Sequence, residues 1–310
     1  MARSTSPPAV AWREAPERSL ALNLLISLRP GQWAKNLLVF AGLIFGLRLF
    51  DPLEVGRAVA AFLIFCVLSG VVYLVNDIAD RESDRLHPLK ARRPIASGAL
   101  PVPVAVTAAF ALGGLALASA FTLGTSFFVV SLAYLTLLAA YSGPLKHIVI
   151  IDVLTIAVGF VLRAVAGAIA VEVEIGHWLL VCTILLALFI SLAKRRHELV
   201  LLADGAAHHR PILGEYSPYL LDQMIAVVTA STLIAYVFYT ISPETEQKFG
   251  TAWLGLTIPF PLYGIFRYLY LVHQREGGGS PSELLLTDRP LLICVILWAL
   301  AVTLIIYRPF

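Results

Sequence analysis

Apolar residues run along this chain in blocks long enough to cross a bilayer, separated by shorter polar stretches. A membrane-spanning helix needs roughly 20 mostly apolar residues. On that spacing the pattern predicts about nine spans, near 34–50, 54–76, 102–121, 124–142, 148–171, 177–194, 218–240, 251–272 and 290–308. The first is short and holds Arg48 near its end. The links at Asp51–Pro52 and Thr122–Thr125 are tight enough to make their neighbours antiparallel hairpins. Leu20–Leu28 is apolar but is stopped by Arg29-Pro30, and reads as an interfacial helix. Residues 1–19 are rich in Pro, Ser, Arg and Glu and lack the apolar core of a secretory signal, so they read as a disordered tail. The expectation is an all-α polytopic bundle: one transmembrane domain over 20–310, with polar loops at 77–100, 143–148, 194–217 and 273–289. Gly277-Gly278-Gly279-Ser280 should make the last loop flexible.

Composition agrees. Of 310 residues, 59% are hydrophobic and 14% charged, with a mean hydropathy of +0.83. Soluble domains carry about a quarter charged residues. The net charge of +3 matters less than its placement. With the N-terminus inside, 17 of the 23 Lys and Arg fall on the cytoplasmic side. Only Arg48, Arg57, Lys248 and Arg308 face the other way, and Arg163 and Arg267 lie within spans. Basic loops stay in the cytoplasm, so the reading is a multi-pass protein of the cell (plasma or inner) membrane, with its polar loops facing the cytoplasm. The expected partner surface is the lipid bilayer, with no nucleic acid. Cys66, Cys182 and Cys294 each sit in apolar runs without a CxxC pair and read as packing residues.

One acidic stretch stands out. Asn76-Asp77-Ile78-Ala79-Asp80-Arg81-Glu82-Ser83-Asp84 closes the second span. On a helix, Asp77, Asp80 and Asp84 share one face. Like charges so placed repel unless a cation neutralises them. Hard carboxylate oxygens suit Mg2+, which binds one or two carboxylates together with substrate phosphates. Asn76 could orient an Asp or bind the ligand, and Arg85, Lys90 and Arg93 follow as partners for phosphate oxygens. The bland alternative, a solvated helix end, accounts for Arg81 and Glu82 but not for acids at the membrane boundary.

Other polar groups face the same side. Tyr141 and Lys146 flank the loop between spans four and five. Arg163 lies well inside span five, where it is expected to pair with a ligand phosphate or a span-two Asp; Asp152, about three turns away, is too far. Span six ends Lys194-Arg195-Arg196-His197-Glu198. Lys194 and Glu198 are spaced to pair, leaving Arg195 free for an anion, although a snorkelling basic belt gives the same pattern. Asp288-Arg289 precedes the last span and suits either a helix start or the site. His208-His209-Arg210 reads as solvated loop, and Trp12, Trp33, Trp178, Trp253 and Trp298 as interfacial or packing residues.

The stretch Asn76-Asp77-x-x-Asp80-x-x-x-Asp84, with Arg93-Pro94-Ile95-Ala96-Ser97-Gly98 after it, resembles the first Asp-rich motif of the UbiA-type intramembrane transferases. The likeness covers roughly 22–310. Most of that superfamily is similar in a second Asp-rich motif after span six, which this chain replaces with its basic stretch. A narrower branch, the decaprenyl-phosphate phosphoribosyltransferases, is similar at Arg29-Pro30-x-Gln32-Trp33-x-Lys35-Asn36 and Tyr73-Leu74-Val75-Asn76-Asp77. It is similar also at Asp84-Arg85-x-His87-Pro88-x-Lys90, Leu145-Lys146-His147, Leu162-Arg163-Ala164, Lys194-Arg195-x-x-Glu198-Leu199 and Asp288-Arg289. The resemblance implies Mg2+-dependent transfer of 5-phosphoribose from phosphoribosyl diphosphate to a polyprenyl phosphate lipid, supplying lipid-linked pentose for cell-wall synthesis, and it allows a homo-oligomer. It implies Asp77, Asp80 and Asp84 as metal ligands and Asp77, Asp80, Lys146 and Arg163 as catalytic. Lys35, Asn76, Asp84, Arg85, Lys90, Arg93, Tyr141, Lys194, Arg195, Glu198 and Arg289 would bind substrate. Prenyl transfer to an aromatic acceptor such as 4-hydroxybenzoate and a non-catalytic carrier are the alternatives.

Overall fold

The computed structural model describes residues 18–87, 90–174, 176–202, 211–275 and 281–307. Expectations for the tail before residue 18, Pro88, His208-His209-Arg210, Gly277–Ser280 and Arg308 fall outside the described residues. Among the described residues the chain is all helical. After α1 (Leu20–Ser27) comes a 3-10 segment, Pro30–Phe40, and then α2 (Ala41–Phe45), α3 (Pro52–Ala79), α4 (Arg81–Leu86) and α5 (Pro94–Ser97). Next are α6 (Val102–Thr122), α7 (Thr125–Ser142), α8 (Ile151–Ala170) and α9 (His177–Leu202). The chain ends in α10 (Pro218–Ile241), α11 (Pro243–Phe249), α12 (Pro259–Gln274), α13 (Pro281–Thr287) and α14 (Arg289–Tyr307).

Among the described residues seven helices are long and apolar enough to cross a membrane: α3, α6, α7, α8, α9, α10 and α14. An eighth forms if α11 and the Trp253–Gln274 stretch count as one span, bent by 101°. The expected first span is not a continuous helix. Pro30 and Gly31 open it, and its backbone winds as 3-10 before α2 begins. The reason lies in packing. The segment lies so close to α8 that a Cβ on Gly167 would fall 1.9 Å from the Val39 carbonyl oxygen, and one on Gly42 2.6 Å from the Ala168 backbone. Small residues let helices approach this closely in a bilayer, where dispersion contacts replace the hydrophobic drive.

The short links behave as expected. Asp51 caps α3 by accepting from the Leu53 and Glu54 amides, and α6 passes to α7 through Leu123 and Gly124 (φ 112°). The helix α3 is the most buried, followed by α8. They meet α6 and α7 around Phe65, Phe127 and Tyr134, while α9, α10 and α12 pack around Phe189, Leu221 and Tyr268. Phe110, Leu115 and Val227 point outward, as suits a surface solvated by lipid.

Candidate active site

The carboxylates gather where α3 ends. Asp77 occupies its last full turn and is buried, Asp80 is its C-cap, and α4 carries Asp84 back beneath it. Each meets a cation of this chain. Asp77 Oδ1 accepts from the Arg29 guanidinium at 2.5 Å and from Arg93 at 3.1 Å. Arg93 also donates to Asp84 at 2.6 Å. Lys146 donates to Asp80, and the Asn76 amide reaches the other Asp80 oxygen at 3.0 Å. Charge-assisted bonds of this kind are the strong ones. Burial pushes the Asp84 carboxyl above the usual carboxylate range, and Arg93 acts against that shift.

The expected three-carboxylate cage does not form. Among the described residues no three His, Cys, Asp or Glu side chains converge on one point. The physical reason is the turn between α3 and α4, which leaves Asp84 on Arg93 rather than beside Asp80. Asp77 and Asp80 still offer hard oxygens one turn apart at the mouth of the bundle. Mg2+ usually takes one or two carboxylates and completes its shell with water and substrate phosphate, so this donor set fits such an ion.

Deeper, Arg163 is buried with neutral partners. It donates to Asn36 Oδ1 (2.8 Å), the Gly159 carbonyl (2.9 Å) and the Tyr134 hydroxyl (2.6 Å), and lies over the Tyr134 and Phe160 rings. Among the described residues no carboxylate pairs with it, so the expected Asp partner from the second span is absent. Asp152 bonds Arg195 and Tyr216 instead. Asn36 is itself held by donating to Ser69 at 3.1 Å. Lys35 lies on the same 3-10 segment, within the electrostatic reach of Arg163 and Arg29.

The basic end of α9 departs most from expectation. Lys194 and Glu198 do pair, at 3.7 Å, but Arg195 is not free. It is buried, donating to Asp152 (2.7 Å), Glu198 (2.7 Å) and the Tyr141 hydroxyl (3.0 Å). Tyr216 donates to the other Asp152 oxygen at 2.8 Å and accepts from the Ile150 amide at 2.8 Å. Ile150 has φ 69°, a left-handed conformation that costs a β-branched residue about 1–3 kcal/mol. Burial pushes the Tyr216 phenol up to about 12, with Asp152 adding to the shift, so it donates as a neutral hydroxyl.

Two expected residues lie aside. Arg85 bonds the Ala96 carbonyl and Glu82, pinning α4 to α5. Arg289 is exposed at the start of α14, while its neighbour Asp288 pairs with Arg267 at 2.8 Å. Lys90 sits in a 3-10 turn near enough to Asp84 to affect its charge. Arg29, Asn36, Tyr134, Asp152 and Tyr216 are the contributors that sequence reading leaves out of the site. Arg29 before Pro30 and Asp152 in a first helical turn are polar groups at span ends; they carry a signal, though an ambiguous one.

The fold and site together define an intramembrane helical bundle whose one end concentrates acids and cations suited to a metal and phosphate groups. A family model, the UbiA prenyltransferase family, matches residues 36–281, and the chain belongs to that family. It is 32% identical over 300 residues to a decaprenyl-phosphate phosphoribosyltransferase of Corynebacterium glutamicum, covering 95% of this chain and 90% of that one. It is also 32% identical to the enzyme of that name from Mycobacterium tuberculosis, over 91% of this chain and 94% of the other. Among solved structures, a UbiA homolog from Archaeoglobus fulgidus bound to DMAPP and Mg2+ superposes with a TM-score of 0.72 at 21% identity, covering 93% of this chain and 99% of that one.

Proposed function

We propose that this chain transfers 5-phosphoribose from phosphoribosyl diphosphate to a polyprenyl phosphate, releasing diphosphate, at a site facing the cytoplasm. The observation that carries this reading is the similarity, over about nine-tenths of both chains, to proteins named decaprenyl-phosphate phosphoribosyltransferase. The basic end of α9 adds support, since Lys194 offers a cation where a second acidic motif would call for a second metal. Asp77 and Asp80 would hold Mg2+ against the donor. Bound there, Mg2+ supplies charge stabilisation to the leaving diphosphate. Lys146, Arg93 and Arg29, now resting on the carboxylates, would turn to phosphate oxygens when the donor enters. Arg163 lies deeper, and with Lys35 and Lys194 it suits the lipid phosphate or the 5-phosphate. The acceptor phosphate is already ionised at neutral pH, so its attack on ribose C1 needs no strong base. In-line attack inverts that centre.

The same reading takes nine crossings with the N-terminus inside. Arg29 meets Asp77 at one end of the bundle, and the Leu49 amide meets the Tyr307 hydroxyl at the other. The intervening 3-10 segment and α2 can cover that distance: at about 2 Å per 3-10 residue and about 1.5 Å per α residue they reach roughly 30 Å, the thickness of the hydrocarbon core. With the bent pair, that makes nine. The basic residue bias then supports a cytoplasmic site.

Purified protein with Mg2+, labelled phosphoribosyl diphosphate and decaprenyl phosphate should yield a labelled lipid. Product only with a prenyl diphosphate and an aromatic acid would sink the reading.

A further inference from the structure

At the end of the bundle away from the carboxylates lies a cavity of about 280 Å³. The C-terminal ends of α2, α8 and α10, the start of α9, and α11 build it. Four aromatic rings line it: Phe45, Trp178, Tyr239 and Phe249. Phe45 and Tyr239 meet edge to face, with centroids 6.2 Å apart. Among the described residues the Tyr239 hydroxyl has no hydrogen-bond partner, although the ring above it is well packed. Gly42 and Gly46 keep the floor open. A Cβ on Gly46 would come 2.7 Å from Val173, so the wall holds its shape only with glycine there.

The charges around this cavity are opposite in sign and exposed at its mouth, with the Lys248 ammonium over the Phe249 ring at 5.7 Å from its centroid. Glu174 and Lys248 both line it and feel each other electrostatically, yet no nitrogen–oxygen contact within 4.0 Å joins them. Glu244, in the first turn of α11, adds a second carboxylate. Exposed at the mouth of an aromatic-lined hollow, Glu174, Glu244 and Lys248 can reach a ligand that carries charges of both signs. Aromatic faces with nearby acids bind ammonium groups, and a lysine ammonium binds phosphate. A purely anionic ligand would meet Glu174 and Glu244, and a purely cationic one would meet Lys248. The volume sits at the low end for small-molecule sites, about 300 Å³, which suits a headgroup rather than a whole lipid.

The setting selects the source. The cavity lies where spans end, beside the 101° bend between α11 and the Trp253–Gln274 stretch. Trp178 lines it, and Trp253, exposed, lies just past the bend. Tryptophan favours the headgroup level of a bilayer. We propose that this cavity binds the headgroup of a zwitterionic phospholipid, with its ammonium against Glu174, Glu244 and the aromatic rings and its phosphate on Lys248. The site is separate from the transfer site and does not depend on the reaction assigned there.

The test is retention of defined lipids by the purified full-length protein, read by native mass spectrometry. Phosphatidylethanolamine and phosphatidylglycerol with the same acyl chains are offered at equal concentration. Wild type should retain phosphatidylethanolamine about tenfold more tightly. Glu174→Gln and Lys248→Gln should each remove most of that preference while leaving thermal stability and transfer activity unchanged. Equal retention of the two lipids by wild type, or an undiminished preference in both variants, would overturn the proposal. Displacement of the lipid by free O-phosphoethanolamine at matching concentration would overturn the membrane source of the ligand.

Discussion

Replacing Asp152 by Ala should destabilise the protein far more than its position beside a loop suggests. Asp152 is fully buried and accepts from Arg195 at 2.7 Å and from Tyr216 at 2.8 Å. Its loss leaves a buried guanidinium with one carboxylate, Glu198, which is partly exposed. Removing one member of a buried pair costs about 3–5 kcal/mol, because the other charge stays desolvated. The remaining Glu198 bond argues for the low end, about 3 kcal/mol. For a chain of this size that corresponds to roughly 5 °C in the unfolding midpoint. The assay is heating of purified protein in detergent, read by a thiol-reactive dye that reaches the buried Cys66 and Cys294 only on unfolding. Asp152→Asn keeps the shape and loses the charge, so it should fall between wild type and Ala. The combined Asp152→Ala and Arg195→Met variant should lose less than the two single losses added, since no unpaired charge remains. Midpoints within about 2 °C of wild type, or single losses that add to within about 0.5 kcal/mol, would refute the reasoning.

Other expectations follow from the same geometry. Gly167→Ala should prevent folding or cost several °C, because its Cβ would overlap the Val39 carbonyl, whereas Gly114→Ala meets open space and should gain up to about 1 kcal/mol of helix stability; expression and unfolding midpoint distinguish the two. Asp80→Ala should lower phosphoribosyl transfer by about 100-fold or more, the scale expected when a charge-stabilising group is lost, and raise the Mg2+ concentration needed for half-maximal rate; an unchanged Mg2+ dependence would remove Asp80 from the metal. Arg29→Ala frees the buried Asp77 of one cation and should raise the KM for phosphoribosyl diphosphate more than it lowers kcat. Tyr216→Phe removes both the bond to Asp152 and the one from the Ile150 amide and should cost about 2–3 kcal/mol, measured as a shift in the same unfolding transition.

Periodicity made most of the fold legible, because a bilayer leaves few ways to satisfy backbone polar groups. The helices α3, α6, α7, α8, α10 and α14 fall within a few residues of the expected spans, whereas α9 starts as expected but runs on to Leu202 through a stretch read as loop. The failures are at the first and eighth spans and at the end of the sixth. Hydropathy reads how apolar a segment is and says nothing of how it winds. The 3-10 turn at Pro30–Phe40 is set by tight packing of Val39 and Gly42 on Gly167 and Ala168, a contact between segments over a hundred positions apart. The 101° bend falls where Gly250 takes φ 66°, just before the expected eighth span begins at 251, and hydropathy carries no record of a change of direction there.

The site was legible as a set of residue types and much less so as a set of pairs. Asp77, Asp80, Lys146 and Arg93 come together because acids and bases crowd one end of the bundle, and the loop charges alone foretell that. Which cation meets which acid depends on helix rotation, and the difference decides roles. Arg195 and Lys194 are adjacent in sequence, so charge counting treats them alike. A turn of about 100° per residue sends them to different surroundings. Arg195 points into the bundle, where Asp152, Glu198 and Tyr141 consume its donors. Lys194 keeps a single 3.7 Å pairing, and its side chain stays partly exposed. An arginine with five donors can only be buried where acceptors match its fork, and that holds it as a brace between α7, α8 and α9. The neighbouring lysine, a flexible point charge, is therefore the residue of this pair free to follow a phosphate. That division separates the cation that shapes the site from the one available to a ligand.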